Sequence, residues 1–308
     1  MDSARLFDLS LQLPPSQSVV ALGEVLWDIF PNSDCLGGAP LNFGVHARRL
    51  GHPVYLLSAV GADQRGRQAA RDIATLDLDT TFLQTSRSLP TGTATVSASS
   101  DGKNSFQIHR PAAYDGMQFT DADTERLKQK QPRWLYFGTL FPSMPMGREV
   151  LNRLLHGLDG ISAFYDLNLR PAADSPELVK HLLEQADVVK LNEEELNRVH
   201  ELCGLPSSIE GFCREGAARY GWRAAGVTLG ARGCALLVDD NYVEQGGCAV
   251  EVADTVGAGD AFAAAFMHGL DANWPLGEVA TFANRVGALV ASRHGAIPDW
   301  TVDEVVRS

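Results

Sequence analysis

Apolar residues along the chain occur in short runs, which alternate with longer segments that mix apolar and charged positions at helical spacing. We expect the runs to be strands of a sheet buried on both faces, and the mixed segments to be helices covering it. The predicted strands are 19–24, 53–61, 134–139, 161–168, 188–192 and 225–230. The predicted helices are 64–76, 123–130, 146–155, 176–185, 193–202, 209–220 and 261–267. This alternation indicates an α/β fold with a doubly wound, mostly parallel sheet.

One part of the chain breaks the alternation. The short strand-like segments 81–86, 93–100 and 105–110 follow one another without a long helix between them, and Asp101-Gly102 is a hairpin signal. We therefore predict a separate small sheet. Residues 1–18 are expected to be an extended lead-in to a single domain that spans 19–308.

Composition narrows the class of protein. The chain has 308 residues, of which 45% are hydrophobic and 21% charged, and its net charge is −12. That charge disfavours nucleic acid and anionic membranes as partners. Five cysteines without CxxC spacing are typical of free thiols in a cytoplasmic protein. We expect no membrane span, because no apolar run is long enough, and no signal peptide, because the N-terminus lacks a basic segment followed by an apolar one.

The most informative stretch is 254–262, where a glycine turn, Gly257-Ala258-Gly259, leads through Asp260 into a buried helix. Backbone N–H groups at such a helix start suit an anion. We expect Asp260 to stay ionised there, so it can accept a proton from a hydroxyl. The same pattern also fits an ordinary helix with an aspartate cap and no ligand.

A second glycine-rich turn, Gly37-Gly38-Ala39-Pro40, precedes a helix that ends at Gly51. Glycines allow a ligand to approach the backbone, and Asn42 can donate and accept hydrogen bonds at once, as polyols require. Upstream, Asp28 lies among large apolar residues. It is either a solvent-facing position of a strand or a carboxylate that holds sugar hydroxyls.

Polar residues also follow the predicted parallel strands, where ligands of doubly wound sheets bind. Arg170 can pair with a phosphate in forked geometry. The alternative for its segment is a strand-end ion pair with a capping Asn, and the alternative for Glu195 is an acidic helix N-terminus. The residues at these strand ends are Asp166, Asn168, Arg170, Asn192, Glu195, Thr228, Gly230, Asp254 and Asp260.

Both glycine-rich stretches resemble signatures of the ribokinase, or phosphofructokinase-B, family of sugar kinases. Segment 254–262 resembles the C-terminal signature and 37–51 the N-terminal one. The resemblance implies a ribokinase-like fold with a small β lid built from about 25–36 and 81–118. It also implies that Asp260 is the catalytic base and that Gly257, Ala258 and Gly259 form an anion hole.

The resemblance further implies the binding residues. For the sugar they are Asp28, Gly37, Gly38, Asn42, Arg110 and Asp260. For ATP they are Asn168, Arg170, Asn192, Glu195, Thr228, Gly230, Gly233, Gly259 and Asn284. Glu195 would tune Mg²⁺, and K⁺ would be held by Asp254 and the carbonyls of Val256, Val290, Arg293 and Gly295.

Within the family, the chain is most similar to fructokinases. Ala39 and Gly138-Thr139 stand where ribokinases carry a lysine and a sugar-binding glutamate, and Val256 replaces a common threonine. We expect an ATP-dependent fructokinase, with a 2-keto-3-deoxygluconate, ribose or nucleoside kinase as the alternative, and an inactive sugar-binding protein as a further one. A dinucleotide oxidoreductase is excluded because no GxGxxG follows the first strand. A homodimer through the lid is a further expectation.

Overall fold

A computed structural model describes residues 17–98, 104–170 and 173–307. Its strands, in chain order, are β1 Val19–Leu22, β2 Leu26–Ile29, β3 Asp34–Gly37, β4 Val54–Gly61, β5 Leu83–Ser86, β6 Gly92–Ala98, β7 Asn104–His109, β8 Trp134–Phe137, β9 Ser162–Asp166, β10 Val188–Asn192, β11 Ala224–Thr228, β12 Cys234–Val238 and β13 Asn241–Gln245.

Nine of the described strands form one large sheet in the order β13-β12-β11-β10-β9-β8-β1-β4-β5. Strands β12 and β13 run antiparallel at one edge, and the remaining neighbours are parallel. This confirms the predicted doubly wound, mostly parallel sheet. The chain enters β1 with four fully buried residues, as expected for a central parallel strand covered on both faces.

Helices cover both faces of the large sheet. One face packs against α1, α2, α8, α9 and α10, and the other against α3 to α7, which gives two apolar cores. The helices are α1 Ala39–Arg49, α2 Gln64–Ala74, α3 Asp121–Lys128, α4 Pro145–Gly157, α5 Pro176–Glu184, α6 Glu193–Cys203, α7 Ile209–Tyr220, α8 Ala258–Asp271, α9 Leu276–Ala291 and α10 Val302–Arg307. Within the described part of the chain, no helix is long and apolar enough to cross a membrane.

The predicted small sheet exists beside the large one. In the described ranges it has four strands in the order β3-β2-β6-β7, with β2 and β6 parallel. One assignment was wrong: β5, within the predicted segment 81–86, pairs with β4 in the large sheet. Its apolar residue Leu83 packs against the core on the face of the large sheet that α1 and α2 cover. The Asp101-Gly102 turn and most of the 1–18 lead-in lie outside the described residues.

Two glycines set the starts of the helices that carry the signatures. Gly38 has φ +117°, and a Cβ there would lie 2.3 Å from the carbonyl oxygen of Glu24. Gly257 has φ +79°, and its Cβ would lie 2.2 Å from the carbonyl oxygen of Ala296. Both turns therefore require glycine on conformational and steric grounds. They bring the starts of α1 and α8 to the ends of the parallel strands.

Candidate active site

The two signatures meet at a single hydrogen bond. Asn42, in the first turns of α1, donates from Nδ2 to Oδ2 of Asp260 at 2.8 Å. Asp260 lies in the first turn of α8. The structure therefore brings together the predicted base and one predicted sugar contact, which are 218 residues apart in the chain.

The ionisation of Asp260 differs from the expectation. Removal of its carboxyl group from water raises its pKa to about 7, and the negative charge of Asp166 adds to that effect. Lys190, the hydrogen bond from Asn42, and Arg170 oppose it. The helix N-terminus thus does not keep the group fully ionised at neutral pH, because desolvation and a like charge outweigh it. A pKa near the working pH suits a general base.

The glycine turn before Asp260 has the geometry expected of an anion site. Gly257 caps α8 in the left-handed conformation, and its carbonyl accepts from the N–H of Ala261 at 2.9 Å. The first turn of an α-helix leaves N–H groups without intrahelical acceptors. Of these, Ala258 donates to the carbonyl of Thr255 at 3.3 Å. The start of α8 can therefore offer donors and partial positive charge to an anion.

Asp28 faces the first glycine turn and is half-buried. A Cβ on Gly37 would lie 2.8 Å from Oδ2 of Asp28, so the carboxylate rests against that backbone. Partial burial raises the pKa of Asp28 to about 6, and Arg170 opposes this. Of the two alternatives for Asp28, the structure therefore favours an inward-facing carboxylate on the small sheet.

The segment after β9 combines an ion pair with a half-buried guanidinium. Asp166 is buried and accepts from Nζ of Lys190 at 3.0 Å. This is the strand-end ion pair that the sequence offered as the alternative to a phosphate site. Asn168 adopts a left-handed backbone with φ +42°. The guanidinium of Arg170 lies 5.9 Å from the ring centre of Phe106 on β7. Arg170 thus contacts the small sheet from the end of the large one.

Asn192 and Glu195 form a reciprocal cap at the start of α6. The N–H of Glu195 donates to Oδ1 of Asn192 at 2.8 Å, and the N–H of Asn192 donates to Oε2 of Glu195 at 2.9 Å. Oε1 of Glu195 accepts from the N–H of Leu169 at 2.8 Å. Burial raises the pKa of Glu195. The helix-cap alternative therefore describes both side chains in this structure.

The remaining predicted nucleotide residues surround the turn after β11. Thr228 ends that strand, and Gly230 and Gly233 flank a 3₁₀ turn with φ values of +59° and +102°. Asn284 on α9 is buried and donates to the carbonyls of Gln245 and Gly246 at 3.4 and 3.3 Å. It thereby anchors the loop that follows β13.

Arg110 is committed to structural contacts. Its Nε donates to both carboxylate oxygens of Asp115 at 3.1 Å, and Nη1 donates to Oγ of Ser143 at 2.6 Å. Asp115 is itself buried. These bonds fix the exit from β7 to the segment before α4, so Arg110 has few donors left for a sugar.

Asp254 connects the two segments predicted to hold K⁺. Its Oδ1 accepts from the N–H of Val256 at 3.0 Å, and its Oδ2 accepts from the N–H of Gly295 at 3.1 Å. Next to this contact, the N–H of Arg293 donates to the carbonyl of Val290 at 3.0 Å. The predicted ligands are all oxygens and lie on adjacent segments, which is a donor set that suits a hard cation.

Three buried polar residues at the site, Lys190, Tyr136 and Glu24, were not singled out from the sequence as functional. Lys190 and Asp166 pair between β10 and β9, and Tyr136 donates to Oδ2 of Asp166 at 3.2 Å. Burial raises the pKa of Glu24, which follows β1, to about 7. A charged residue inside an otherwise apolar strand, such as Lys190, is the signal that could have identified this cluster.

Comparison with known proteins identifies the family. Residues 32–302 match the description pfkB family carbohydrate kinase. The chain belongs to the pfkB family of carbohydrate kinases. The prediction of an ATP-dependent sugar kinase with a ribokinase-like fold is thereby confirmed.

Members of the pfkB family resemble the chain over nearly its whole length. The fructokinase of Escherichia coli is 29% identical, with 92% of this chain and 95% of that protein covered. The aminoimidazole riboside kinase of Salmonella typhimurium is also 29% identical, covering 91% and 90%. A double mutant of the Vibrio cholerae fructokinase, solved with fructose, ADP and a potassium ion, superposes with a TM-score of 0.80 at 25% identity, covering 95% and 98%.

Proposed function

We propose that the chain is a fructokinase that converts D-fructose and ATP to fructose 6-phosphate and ADP. The oxygen of the sugar's primary hydroxyl attacks the γ-phosphorus, and the bond from that phosphorus to the β–γ bridging oxygen breaks. Asp260 accepts the hydroxyl proton, and ADP leaves with the electron pair of the broken bond.

The hydrogen bond between Asn42 and Asp260 is the observation that carries the proposal. An amide that can bind a polyol thus lies 2.8 Å from the carboxylate that we propose as the proton acceptor. The inward carboxylate of Asp28 lies against the same glycine turn from which α1 starts. A hydroxyl held between these groups would be oriented for transfer, which is the main contribution a protein makes to phosphoryl transfer.

The phosphates of ATP would lie at the start of α8. The anion hole would consist of Gly257, Ala258 and Gly259, with Arg170 as the nearby guanidinium. The other proposed ATP contacts are Asn168, Asn192, Thr228, Gly230, Gly233 and Asn284. Asn168, Asn192 and Thr228 lie at the carboxyl ends of β9, β10 and β11, Gly230 and Gly233 lie in the turn after β11, and Asn284 lies on α9, in keeping with a nucleotide that crosses this edge of the sheet.

Two cations belong to the proposal. Mg²⁺ neutralises phosphate charge, and Glu195 would act on it through water, since both its carboxylate oxygens already accept backbone N–H groups. K⁺ would be held by Asp254 and the carbonyls of Val256, Val290, Arg293 and Gly295. The all-oxygen donor set fits that ion, and its positive charge would support the anion hole.

The choice of fructose rests on sequence and on relatives. Ala39 and Gly138-Thr139 replace two ribokinase features, and the E. coli relative is a fructokinase. The Salmonella relative, with the same identity, favours a riboside as the second candidate. Ribose and 2-keto-3-deoxygluconate follow as acceptors that members of the same family phosphorylate.

The test measures ADP release with fructose, ribose, 2-keto-3-deoxygluconate and aminoimidazole riboside as acceptors. We expect the highest kcat/KM with fructose. A higher kcat/KM with the riboside would make the riboside, and not fructose, the proposed substrate, and the proposed phosphoryl transfer would stay the same. The variant Asp260→Asn is the control for the base, and we expect it to lower kcat at least ~10²-fold with little change in sugar Kd. Near-normal kcat in that variant would remove Asp260 from this role.

A further inference from the structure

A buried ion pair lies directly beneath the glycine turn of α8. Lys190 and Asp166 are register partners on the neighbouring strands β10 and β9. The ammonium donates to Oδ1 and Oδ2 of Asp166 at 3.0 and 3.2 Å, and the two side chains are 7% and 1% exposed. The hydroxyl of Tyr136 completes the cluster by donating to Oδ2.

The ammonium also touches the turn. A Cβ built on Gly259 would lie 3.1 Å from Nζ of Lys190, so the ammonium packs against the Gly259 backbone, and the next residue is Asp260. An ammonium has three N–H donors. The two oxygens of Asp166 account for two of them, which leaves the third for an anion at the turn.

Stability of the fold is a weak reason to bury this pair. Desolvation of two charges is costly, and apolar replacements of buried ion pairs are often neutral or stabilising. The rest of β10 before its last residue is apolar and buried, so an apolar side chain at position 190 would match its neighbours. Because the charge lies beside the anion turn, a role in the active site explains the buried pair better than a contribution to stability does.

We propose that Lys190 and Asp166 are positioning residues for phosphoryl transfer. Lys190 supplies positive charge to the anion turn at Gly259 and to the carboxylate of Asp260, and Asp166 fixes the ammonium in that place. This inference rests on the proposed function, in which Asp260 is the base.

The charges around Asp260 are consistent with that role. Asp166 on β9 raises the pKa of Asp260, and Lys190 on β10 and Arg170 after β9 lower it. Asp260, Asp166 and Glu195 of α6 in turn raise the pKa of Lys190, which keeps it charged despite burial. Among the described residues, the amide of Asn42 on α1 and the phenol of Tyr136 on β8 also contact this cluster, and burial raises the pKa of Tyr136 well above its usual value.

The test compares two variants that differ by one positive charge. These are Asp166→Asn and Asp166→Asn/Lys190→Gln. The single variant Lys190→Gln is avoided, because it would leave Asp166 as a buried, unpaired carboxylate that takes up a proton. The measurement is the pH dependence of kcat and of kcat/KM for the sugar at saturating MgATP. Substrate ionisation is the same for all the proteins.

In Asp166→Asn, the ammonium keeps Glu195 and Asp260 as counter-charges and should favour ionised Asp260, so the acidic limb of kcat/KM should move about one pH unit lower than in the wild type. In the double variant the limb should move back up by about the same amount. Its plateau kcat should be at least ~10-fold below that of the single variant, because the charge facing the transferred phosphoryl group is gone. Sugar KM should stay within about 3-fold in both, as expected when only transition-state interactions change.

Equal limbs and equal plateau kcat in the two variants would overturn the proposal, and a purely structural pair would give that result. If Asp166→Asn does not fold, the charge-balanced double variant is compared with the wild type, and a plateau kcat within about 3-fold overturns the proposal. The variant Asp260→Asn separates this result from failure of the proposed function. If Asp260→Asn loses activity, the proposed function stands and only the role of Lys190 and Asp166 is wrong. Near-normal kcat in Asp260→Asn would instead contradict the proposed function.

Discussion

Asn42 holds Asp260 by a hydrogen bond of 2.8 Å from Nδ2 to Oδ2, and this contact links α1 to α8. Because only the amide nitrogen can donate, the bond favours the ionised carboxylate. The bond therefore fixes both the orientation of Asp260 and part of its pKa of about 7.

The variant Asn42→Asp replaces this donor with a second carboxylate of the same shape. The pKa of Asp260 should rise above about 7, because a like charge opposes ionisation. We expect kcat near neutral pH to fall at least ~10-fold and to recover in part at alkaline pH. The control is Asn241→Asp, an exposed change at the far end of the sheet with the same added charge. A uniform loss of activity across pH in Asn42→Asp would contradict this account.

A second prediction concerns Asp28 on the small sheet. Asp28→Ala should raise sugar KM strongly and leave ATP KM almost unchanged, since the carboxylate faces the Gly37 turn. Gly37→Ala should have a similar effect, because its Cβ would lie 2.8 Å from Oδ2 and displace the carboxylate. Asp34→Ala, on the exposed end of β3, is the matched control. If steady-state kinetics show equal changes in both KM values, Asp28 is not a sugar contact.

The sequence predicted the large sheet and the two glycine turns well, because periodicity and glycine turns are local signals. It failed where the outcome depends on neighbours distant in the chain. Segment 83–86 has the composition of a lid strand, but its pairing with β4 was decided by tertiary packing. The pKa of Asp260 depends on Asp166 and on burial, neither of which a linear pattern reveals. The sequence shows Lys190 as a charged residue in an apolar strand, but it does not show that Lys190 contacts Gly259.

A third prediction concerns the proposed K⁺ site. K⁺ should raise the thermal unfolding midpoint and the activity relative to tetramethylammonium at equal ionic strength, because a bound ion stabilises the native state. Asp254→Ala should abolish both differences. The same variant also loses bonds to Val256 and Gly295, so its midpoint should be lower in either salt. Identical midpoints and rates of the wild type in the two salts would rule out the site.

A fourth prediction concerns a buried histidine pair remote from the site. Nε2 of His52 lies 2.9 Å from Nδ1 of His268, and both rings are buried. Burial lowers the pKa of His268 to about 4 and also lowers that of His52. The unfolded chain therefore binds more protons below the usual pKa of about 6.5. Stability is present above that pH and is lost as the pH falls toward the folded-state value.

The free energy of unfolding should accordingly fall by about 2 kcal/mol for His268 alone between about pH 7 and about pH 5. Chemical denaturation of the wild type and of His268→Phe isolates the contribution of His268. Buried carboxyl groups with raised pKa values change the stability in the opposite direction, but they do so equally in both proteins. The slope with pH should be shallower in His268→Phe, and unchanged in His156→Gln at an exposed position. Equal slopes in all three proteins would show that the pair is not a source of acid sensitivity.

The last prediction concerns the small sheet as a lid. Strand β2 is fixed to the first turn of α2, where Nε1 of Trp27 donates to the carbonyl of Arg65 at 3.2 Å. The far strand of the sheet reaches the site through the contact of Phe106 with Arg170. A sheet held at Trp27 on β2 and at Arg110 after β7 can still turn about these contacts, and a kinase gains from closure because water competes with the sugar hydroxyl for the phosphoryl group. We therefore expect sugar alone to increase amide protection in β6 and β7. Strands β12 and β13, at the other edge of the large sheet, provide the internal reference, and their exchange should stay constant. If sugar slows exchange only at 254–262, the small sheet is a fixed wall of the site. The homodimer through this sheet stays a separate prediction, for which the mass in solution is the measurement.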